Sequence, residues 1–282
     1  MSRRQPHGGK VYRGLAADKS LGQHFLFDPK VLDSIVHAAG ALKGVNVIEI
    51  GAGPGNLTRA ILGTDAASLT AIEIDSRAVR ILRDLEAVQS GRLRVIEADA
   101  IGFNLIRHVP EPRAIIANLP YNVGTALLVE WLRHAGDFTV MVLMFQAEVA
   151  QRIVAVAGDK AYGRLAVLAA LTTTAAIVLR VPPTAFVPPP KIDSAVVKLV
   201  PRSGSIAAAR LDAVGRITSA AFGQRRKMLR SSLRAIGGAF LLEKAGIEPT
   251  RRAETLSADE YLRLADLELA LPMRQSKPSR IG

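Results

Sequence analysis

Short apolar runs alternate with amphipathic stretches through the first two thirds of the chain. Val45-Asn-Val-Ile-Glu-Ile50, Leu69 to Asp75, Leu93 to Glu97, Arg113-Ala-Ile-Ile-Ala-Asn118 and Thr139 to Phe145 are apolar and bounded by turn formers, so each reads as a buried strand. Between them, Asp28 can cap and Pro29 can start a helix running to about Ala39. Further helices are predicted over Ser76 to about Val88, near Thr125 to Arg133, and from about Gln146 to a stop before Gly158. The long apolar stretch from Leu165 to Val181 is broken by Thr172-Thr-Thr174 and carries Arg180. It therefore reads as a helix, Tyr162 to Leu171, followed by a strand, Ala175 to Val181, and not as a membrane span. A strand from Ser194 to Val200 closes the sheet. Such alternation predicts an α/β domain with a doubly wound, mostly parallel sheet. Pro201-Arg-Ser-Gly-Ser205 is a linker by composition, and everything beyond it reads as helix, a small C-terminal all-α domain. The expected organisation is a flexible basic arm over residues 1–18, the α/β domain over 19–203, the helical domain over 204–272 and a polar tail over 273–282.

In an open parallel sheet the carboxyl ends of the strands face the ligand crevice, so the residues there are the candidates for chemistry. Gly51-Ala-Gly53-Pro-Gly55 follows the first strand at once, with Asn56 placed to cap the next helix. Glycines admit a ligand close to the backbone, and a helix end offers free N–H groups, which together suit a nucleotide-type cofactor; an ordinary turn is the alternative. The Gly-x-Gly-x-Gly spacing departs from the dinucleotide fingerprint, whose third glycine comes one residue later, and favours S-adenosylmethionine. Glu73 ends the second strand twenty residues after Gly53. An acid at that place accepts ribose hydroxyls in nicotinamide and adenosylmethionine enzymes alike. Asp99 ends the third strand, where a carboxylate can take the adenine amino group or cap the next turn.

Asn118-Leu-Pro-Tyr121 ends the fourth strand. Pro120 removes a donor and stiffens the loop, so the Asn118 amide oxygen and the Leu119 carbonyl can point outward as two acceptors for an amino group. Tyr121 adds an aromatic face for an unstacked base. The four residues look like the Asn/Asp-Pro-Pro-aromatic signature of methyltransferases that modify exocyclic amino groups; a strand ending in a Pro turn is the plainer account. In Pro182-Pro-Thr-Ala-Phe186-Val-Pro-Pro-Pro-Lys191, the prolines either hold Phe186 out of the core as the second face of a base clamp or bury it under the loop. Ahead of the first strand, Gln23, His24, Phe25 and Leu26 suit a lid over a cofactor, or a hydrophobic staple onto the following helix.

Charge sharpens this picture. The chain of 282 residues carries a net charge of +12, which suggests a polyanionic partner, with a solvated basic surface as the alternative. From Gly204 onward there are 14 basic and 8 acidic side chains, a net +6 and half of the total. Phe222 to Arg234 holds five cations and no acid. As a helix, it would put Phe222, Leu229 and Leu233 on the core and spread Arg225, Arg226, Lys227 and Arg230 around the other side, a strip fit to grip phosphates. The absence of cysteine removes disulfides, thiolate zinc sites and any cysteine nucleophile. The basic N-terminal residues hint at a transit peptide, but Pro6, Gly8 and Gly9 spoil the amphipathic helix that one needs.

Leu-Gly-Gln-His-Phe-Leu at 21–26, Glu-Ile-Gly-Ala-Gly-Pro-Gly-Asn-Leu-Thr at 49–58, Asn-Leu-Pro-Tyr at 118–121 and Phe-Val-Pro-Pro-Pro-Lys-Ile-Asp-Ser at 186–194 together resemble the ribosomal RNA adenine dimethyltransferases. The resemblance runs from about Lys19 to Leu264. Phe-Gly-Gln-Arg-Arg-Lys-Met-Leu at 222–229 is similar to the subgroup that modifies small-subunit RNA. It implies a Rossmann-like methyltransferase domain, S-adenosylmethionine as methyl donor with no metal, and dimethylation of two adjacent adenines near the 3′ end of that RNA. It further implies a helical domain that helps to hold the RNA or the pre-ribosomal small subunit. By the same resemblance His24, Leu26, Gly51, Glu73, Asp99 and Asn118 contact the cofactor; Gly53 joins them from the glycine turn, and the residue chemistry above assigns Asn118, Leu119, Tyr121 and Phe186 to the target base. His24 stands where many members have Asn. A cytoplasmic monomer without membrane attachment is the accompanying expectation. A nicotinamide-dependent dehydrogenase, an assembly factor without catalysis and a methyltransferase of large-subunit RNA are the rival readings.

Overall fold

The computed structural model describes residues 11–12, 15–18, 22–88, 91–204 and 206–270. Strands β1 (Val11–Tyr12), β2 (Leu15–Ala16) and β3 (Phe25–Leu26) precede α1 (Pro29–Ala39), β4 (Asn46–Ile50), α2 (Asn56–Leu62), β5 (Ser68–Glu73), α3 (Ser76–Val88) and β6 (Leu93–Glu97). Then come α4 (Leu105–His108), β7 (Arg113–Asn118), α5 (Gly124–Arg133), β8 (Val140–Gln146), α6 (Ala147–Val154), α7 (Arg164–Thr172), β9 (Thr173–Val181), β10 (Phe186–Val187) and β11 (Ser194–Pro201). Helices α8 (Ala208–Gly223), α9 (Leu229–Ser232), α10 (Gly238–Lys244) and α11 (Ala258–Ala270) complete the chain.

Seven strands form one sheet in the order β6-β5-β4-β7-β8-β11-β9. The five from β6 to β8 are parallel, and β11 runs antiparallel to both of its neighbours. The middle strands read as continuous apolar runs because both faces are covered: Val47 to Ile50 and Ala114 to Ala117 are all buried. Succession from β4 goes outward through β5 and β6, then returns to the other side for β7 and β8. The order therefore reverses between β4 and β7, and the crevice at their carboxyl ends is the natural ligand site. Ser194 to Val200 does not close the sheet as expected; β11 is inserted between β8 and β9, and β9 is the edge. Its alternating burial fits that place, with Val178 exposed.

Two compact units emerge, and their division differs from a single cut after residue 203. One runs to Val154 and resumes at Thr172; the other contains Ala155–Leu171 and the chain from Ile206. Tyr162, Ala166, Val167 and Leu171 share a buried cluster with Val214, Ile217, Leu241 and Leu264, so α7 belongs with the helices and does not continue the α/β domain. In that cluster Phe222 lies 6.0 Å from Tyr162 and 5.8 Å from Tyr261. The Tyr261 hydroxyl donates to the Ala253 carbonyl at 2.8 Å.

Part of the expected basic arm is structured. Val11–Tyr12 pairs antiparallel with Leu15–Ala16, and Leu15 is buried with Phe25 and Ala78. The remainder of the arm, residues 1–10 and 13–14, and the whole polar tail lie outside the described residues.

Phe186 also departs from expectation. Strand β10 pairs antiparallel with β3, placing Phe186 opposite Leu26, and Phe27 N–H donates to the Ala185 carbonyl at 3.1 Å. The ring is only 2% exposed, in a cluster with Leu26, Leu32, Val181 and Ala185. The prolines thus shape a strand pairing that turns the ring inward, and it offers no face to a base. Phe186→Ala is expected to lower stability by about 3 to 5 kcal/mol, the cost of a buried aromatic cavity. Urea unfolding measures this, and a stability loss below about 1 kcal/mol would contradict the core role.

Candidate active site at the carboxyl edge of the parallel strands

The turn after β4 is built on backbone that only glycine adopts easily, with φ of 69° at Gly51 and 53° at Gly53. Gly51 N–H donates to the Ile72 carbonyl at 2.8 Å, which ties the turn to β5. A Cβ at Gly53 would stand 3.3 Å from the Phe25 ring, and one at Gly51 would stand 3.4 Å from Pro120. The cap of α2 is Gly55, not the expected Asn56. The Asn56 side chain is buried instead and donates to the Leu26 carbonyl at 2.7 Å, fastening the preceding loop to the glycine turn.

Glu73 organises the next strand end. One carboxylate oxygen accepts from Gly53 N–H at 2.8 Å, and the other accepts from Ile74 and Asp75 N–H, both at 2.9 Å. Burial raises its pKa, and the three N–H groups oppose that shift. Glu49, which the sequence reading passed over, is also buried and lines the same pocket. Its described partner is Thr58, whose hydroxyl donates at 2.7 Å and whose backbone N–H also bonds to it. Desolvation pushes its pKa up to about 8, and the nearby Glu73 adds to the effect. Neither acid has an ion-pair partner among the described residues. The signal was present in the sequence, since an acid inside an apolar run immediately before a glycine turn has no structural reason to be there.

Residues 22–26 lie over this edge. Gln23 donates to Asp75 at 2.8 Å, and Asp75, doubly bonded by Arg77, is held down at about 2. His24 Nδ1 lies 2.8 Å from the Pro188 carbonyl, so this nitrogen carries the proton. Its own carbonyl accepts from Asn118 Nδ2 at 3.3 Å. That bond fixes which way the Asn118 amide points and leaves Oδ1 without a donor among the described residues. The Leu119 side chain is buried, and no described backbone donor reaches its carbonyl. Tyr121 stacks on His24 at 5.7 Å between centroids, and its hydroxyl lies 2.6 Å from Ser194 Oγ. Burial raises the phenol pKa. One face of the Tyr121 ring is thus turned toward His24. Buried Ser194 is a second residue that the sequence reading missed, because only the sheet brings β11 beside the loop after β7.

A pocket of about 270 Å³ gathers His24, Leu26, Gly51, Gly53, Glu73, Asp99, Asn118, Leu119 and Tyr121 along one edge. Asp99 is exposed at its rim; one oxygen caps Ile101 N–H at 2.9 Å, so capping and pocket lining coexist.

The basic strip is not one helix. α8 ends at Gly223 and α9 begins at Leu229, with a turn between them that carries Arg225, Arg226 and Lys227. Arg225 is committed internally: it donates to the Asp159 carbonyl at 3.3 Å and lies 3.8 Å from Glu254. Arg226, Lys227 and Arg230 are exposed and form no ion pair among the described residues.

Comparison with known proteins agrees with this architecture. The sequence profile of the family described as "Ribosomal RNA adenine dimethylase" matches residues 14–268. A "Ribosomal RNA small subunit methyltransferase A" of Gluconobacter oxydans (strain 621H) is 53% identical over 257 residues, covering 91% of this chain and 85% of its own. The protein of the same name from Agrobacterium fabrum (strain C58 / ATCC 33970) is 55% identical over 260 residues, covering 90% and 93%. Among solved structures, a dimethyladenosine transferase from Plasmodium falciparum is similar with a TM-score of 0.75 at 29% identity, over 86% of this chain and 96% of that one. The 23S rRNA methyltransferase ErmE is similar with a TM-score of 0.66 at 26% identity, over 86% and 98%.

Glu49 generates a pH test. Its folded pKa of about 8 exceeds the ordinary 4.5, so the folded state holds an extra proton between those values. The associated stability is fully present below about 4.5 and is lost as pH rises to about 8. From pH 5 to 8 the ligand-free protein is expected to lose roughly 3 kcal/mol through this group. Glu49→Gln should flatten the profile. Urea unfolding at several pH values measures it, and parallel profiles for the two proteins would mean that Glu49 is ionised throughout.

Proposed function

The chain belongs to the ribosomal RNA adenine dimethylase family, and we propose that it transfers methyl groups from S-adenosylmethionine to two adjacent adenines near the 3′ end of small-subunit ribosomal RNA, two to each amino group. It is a methyltransferase of Rossmann-like fold. The observation that carries the reading at residue level is the Asn118 amide, anchored through Nδ2 with Oδ1 left as an acceptor at the pocket.

The pocket suits the cofactor. Glu49 and Glu73 are buried acids with no ion-pair partner among the described residues, and a ligand bearing an ammonium and a sulfonium would favour their ionised forms. Glu73 uses three acceptor positions on backbone N–H groups, which leaves roughly one of a carboxylate's four for a ribose hydroxyl. Asp99 has its second oxygen for the adenine amino group. Gly51 and Gly53 keep the floor of the pocket free of side chains.

Bound there, S-adenosylmethionine supplies a methyl on a sulfonium, whose departure as a neutral thioether needs no acid. The protein's task is the nucleophile, because the lone pair of an adenine amino group is delocalised into the ring. Asn118 Oδ1 and the Leu119 carbonyl accept hydrogen bonds from its two N–H groups, turn the lone pair toward the methyl and stabilise the positive charge that develops on nitrogen. Once the methylated nitrogen has released a proton to solvent, a single N–H remains, and either acceptor can hold it for the second transfer. Tyr121, its ring plane fixed by Ser194 and His24, supports the base on its free face. In-line positioning supplies most of the acceleration. We place the reaction on pre-ribosomal small subunits in the cytoplasm, with the enzyme acting as a monomer. No helix among the described residues is long and apolar enough to cross a membrane.

The test is single-turnover methylation of immature small subunits with labelled S-adenosylmethionine. Wild type should place label on two adjacent adenines as dimethyladenine; absence of transfer would favour a non-catalytic assembly factor. Asn118→Ala at saturating cofactor should slow transfer by about a hundredfold or more while RNA affinity holds, as for loss of one preorganised transition-state hydrogen bond. A rate within threefold of wild type would remove Asn118 from the mechanism.

RNA affinity is assigned to the exposed cations Arg226, Lys227 and Arg230, with Arg225 serving the fold. Replacing those three by Gln should lower the salt slope of binding by about two to three units at unchanged cofactor affinity. An unchanged slope would make them solvated surface.

A further inference from the structure

Among the described side chains, Phe240 is the one Phe, Tyr or Trp ring that is exposed, at 51%. It stands on α10, whose Gly238, Leu241 and Leu242 are buried, so the ring points off the helix into solvent. Lys244, one turn later, holds its ammonium 5.7 Å from the ring centroid. α10 packs on the segment that carries the other cations: Gly238 N–H donates to the Leu233 carbonyl at 2.9 Å, and a Cβ at Gly238 would stand 3.2 Å from the Arg230 carbonyl. Arg230 and Arg234 are exposed there, and Arg230 also faces the exposed Glu248. From Phe222 to Lys244 six cations face one acid, Glu243. A single exposed aromatic is ordinary on a protein surface. An aromatic with a cation at its ring, inside a segment almost free of acid, is the combination by which proteins hold unpaired nucleotides: the ring stacks on a base and the cations take the flanking phosphates.

We propose that Phe240 is a stacking platform for an unpaired base of the RNA substrate, with Lys244, Arg230 and Arg234 engaging the adjoining phosphates. The inference rests on the RNA-substrate reading above and adds a contact made by the helical unit itself. Because a stack is neutral, it differs from the basic strip in its salt dependence. The bases read here need no particular sequence, since every base has a π face.

The measurement is the affinity of immature small subunits over a range of salt. Phe240→Ala should weaken binding roughly 5- to 100-fold at each salt concentration and leave the slope unchanged, as for loss of one base–aromatic stack. Phe240→Trp should restore affinity, Phe240→Leu should not, and Lys244→Gln should lower the slope by about one unit. Thermal unfolding and S-adenosylmethionine affinity of the Phe240 variants should match wild type. Unchanged affinity for Phe240→Ala, or rescue by Leu as complete as by Trp, overturns the platform. So does loss of self-association in sedimentation at unchanged RNA affinity, which would make Phe240 a contact between copies. Wild-type methylation of the same subunits reads the substrate assignment separately: transfer with normal binding by Phe240→Ala defeats the platform alone, whereas no binding by wild type defeats both.

Discussion

The pocket is built around the Glu73 carboxylate, which gathers three backbone N–H groups in a place where a charge is costly to bury. The bond from Gly53 holds the glycine turn in its left-handed conformation, and the bonds from Ile74 and Asp75 shape the exit from β5. Two adjacent strand ends are thereby joined through one side chain. Glu49 adds a second buried acid one strand away, held among the described residues by Thr58. Burial raises the pKa of both acids, Glu73 raises that of Glu49 further, and neither has an ion-pair partner among the described residues, so the edge favours a ligand that brings positive charge.

The loop at residues 22–26 is fastened over that edge from four directions. Gln23 reaches Asp75 after β5, the His24 ring reaches Pro188, the His24 carbonyl takes the Asn118 amide, and the Leu26 carbonyl takes Asn56. One consequence is chemical. An asparagine at a strand end could present either end of its amide, and the His24 carbonyl, an obligate acceptor, selects the orientation that leaves oxygen available. Of the two arrangements that the proline-rich segment allowed, the inward one holds: Phe186 is buried in the core, and the Pro188 carbonyl locks His24.

The helical unit shows the same dependence on tertiary partners. Arg225 belongs by sequence to a run without acids, yet the turn after α8 brings it to Glu254, 29 residues on. Its neighbours Arg226 and Lys227 meet no such partner among the described residues and keep their charge at the surface.

The strand pattern, the parallel core of the sheet, the glycine turn and the strand-end positions of Glu73, Asp99 and Asn118 were all legible along the chain. Each depends on local chemistry: apolar periodicity, positive φ at glycine, and the rule that parallel strands present their carboxyl ends to ligand. What the chain alone did not disclose depends on partners far away in sequence. The insertion of β11 beside β8, the assignment of α7 to the helical unit, the inward turn of Phe186, the Tyr121–Ser194 contact and the neutralisation of Arg225 each join residues more than twenty apart. Local pattern sets which residues are apolar or charged, but not which of several apolar surfaces or acids they will meet. That choice is made by packing, because burial rewards any matching surface and only the closed fold determines which one is within reach.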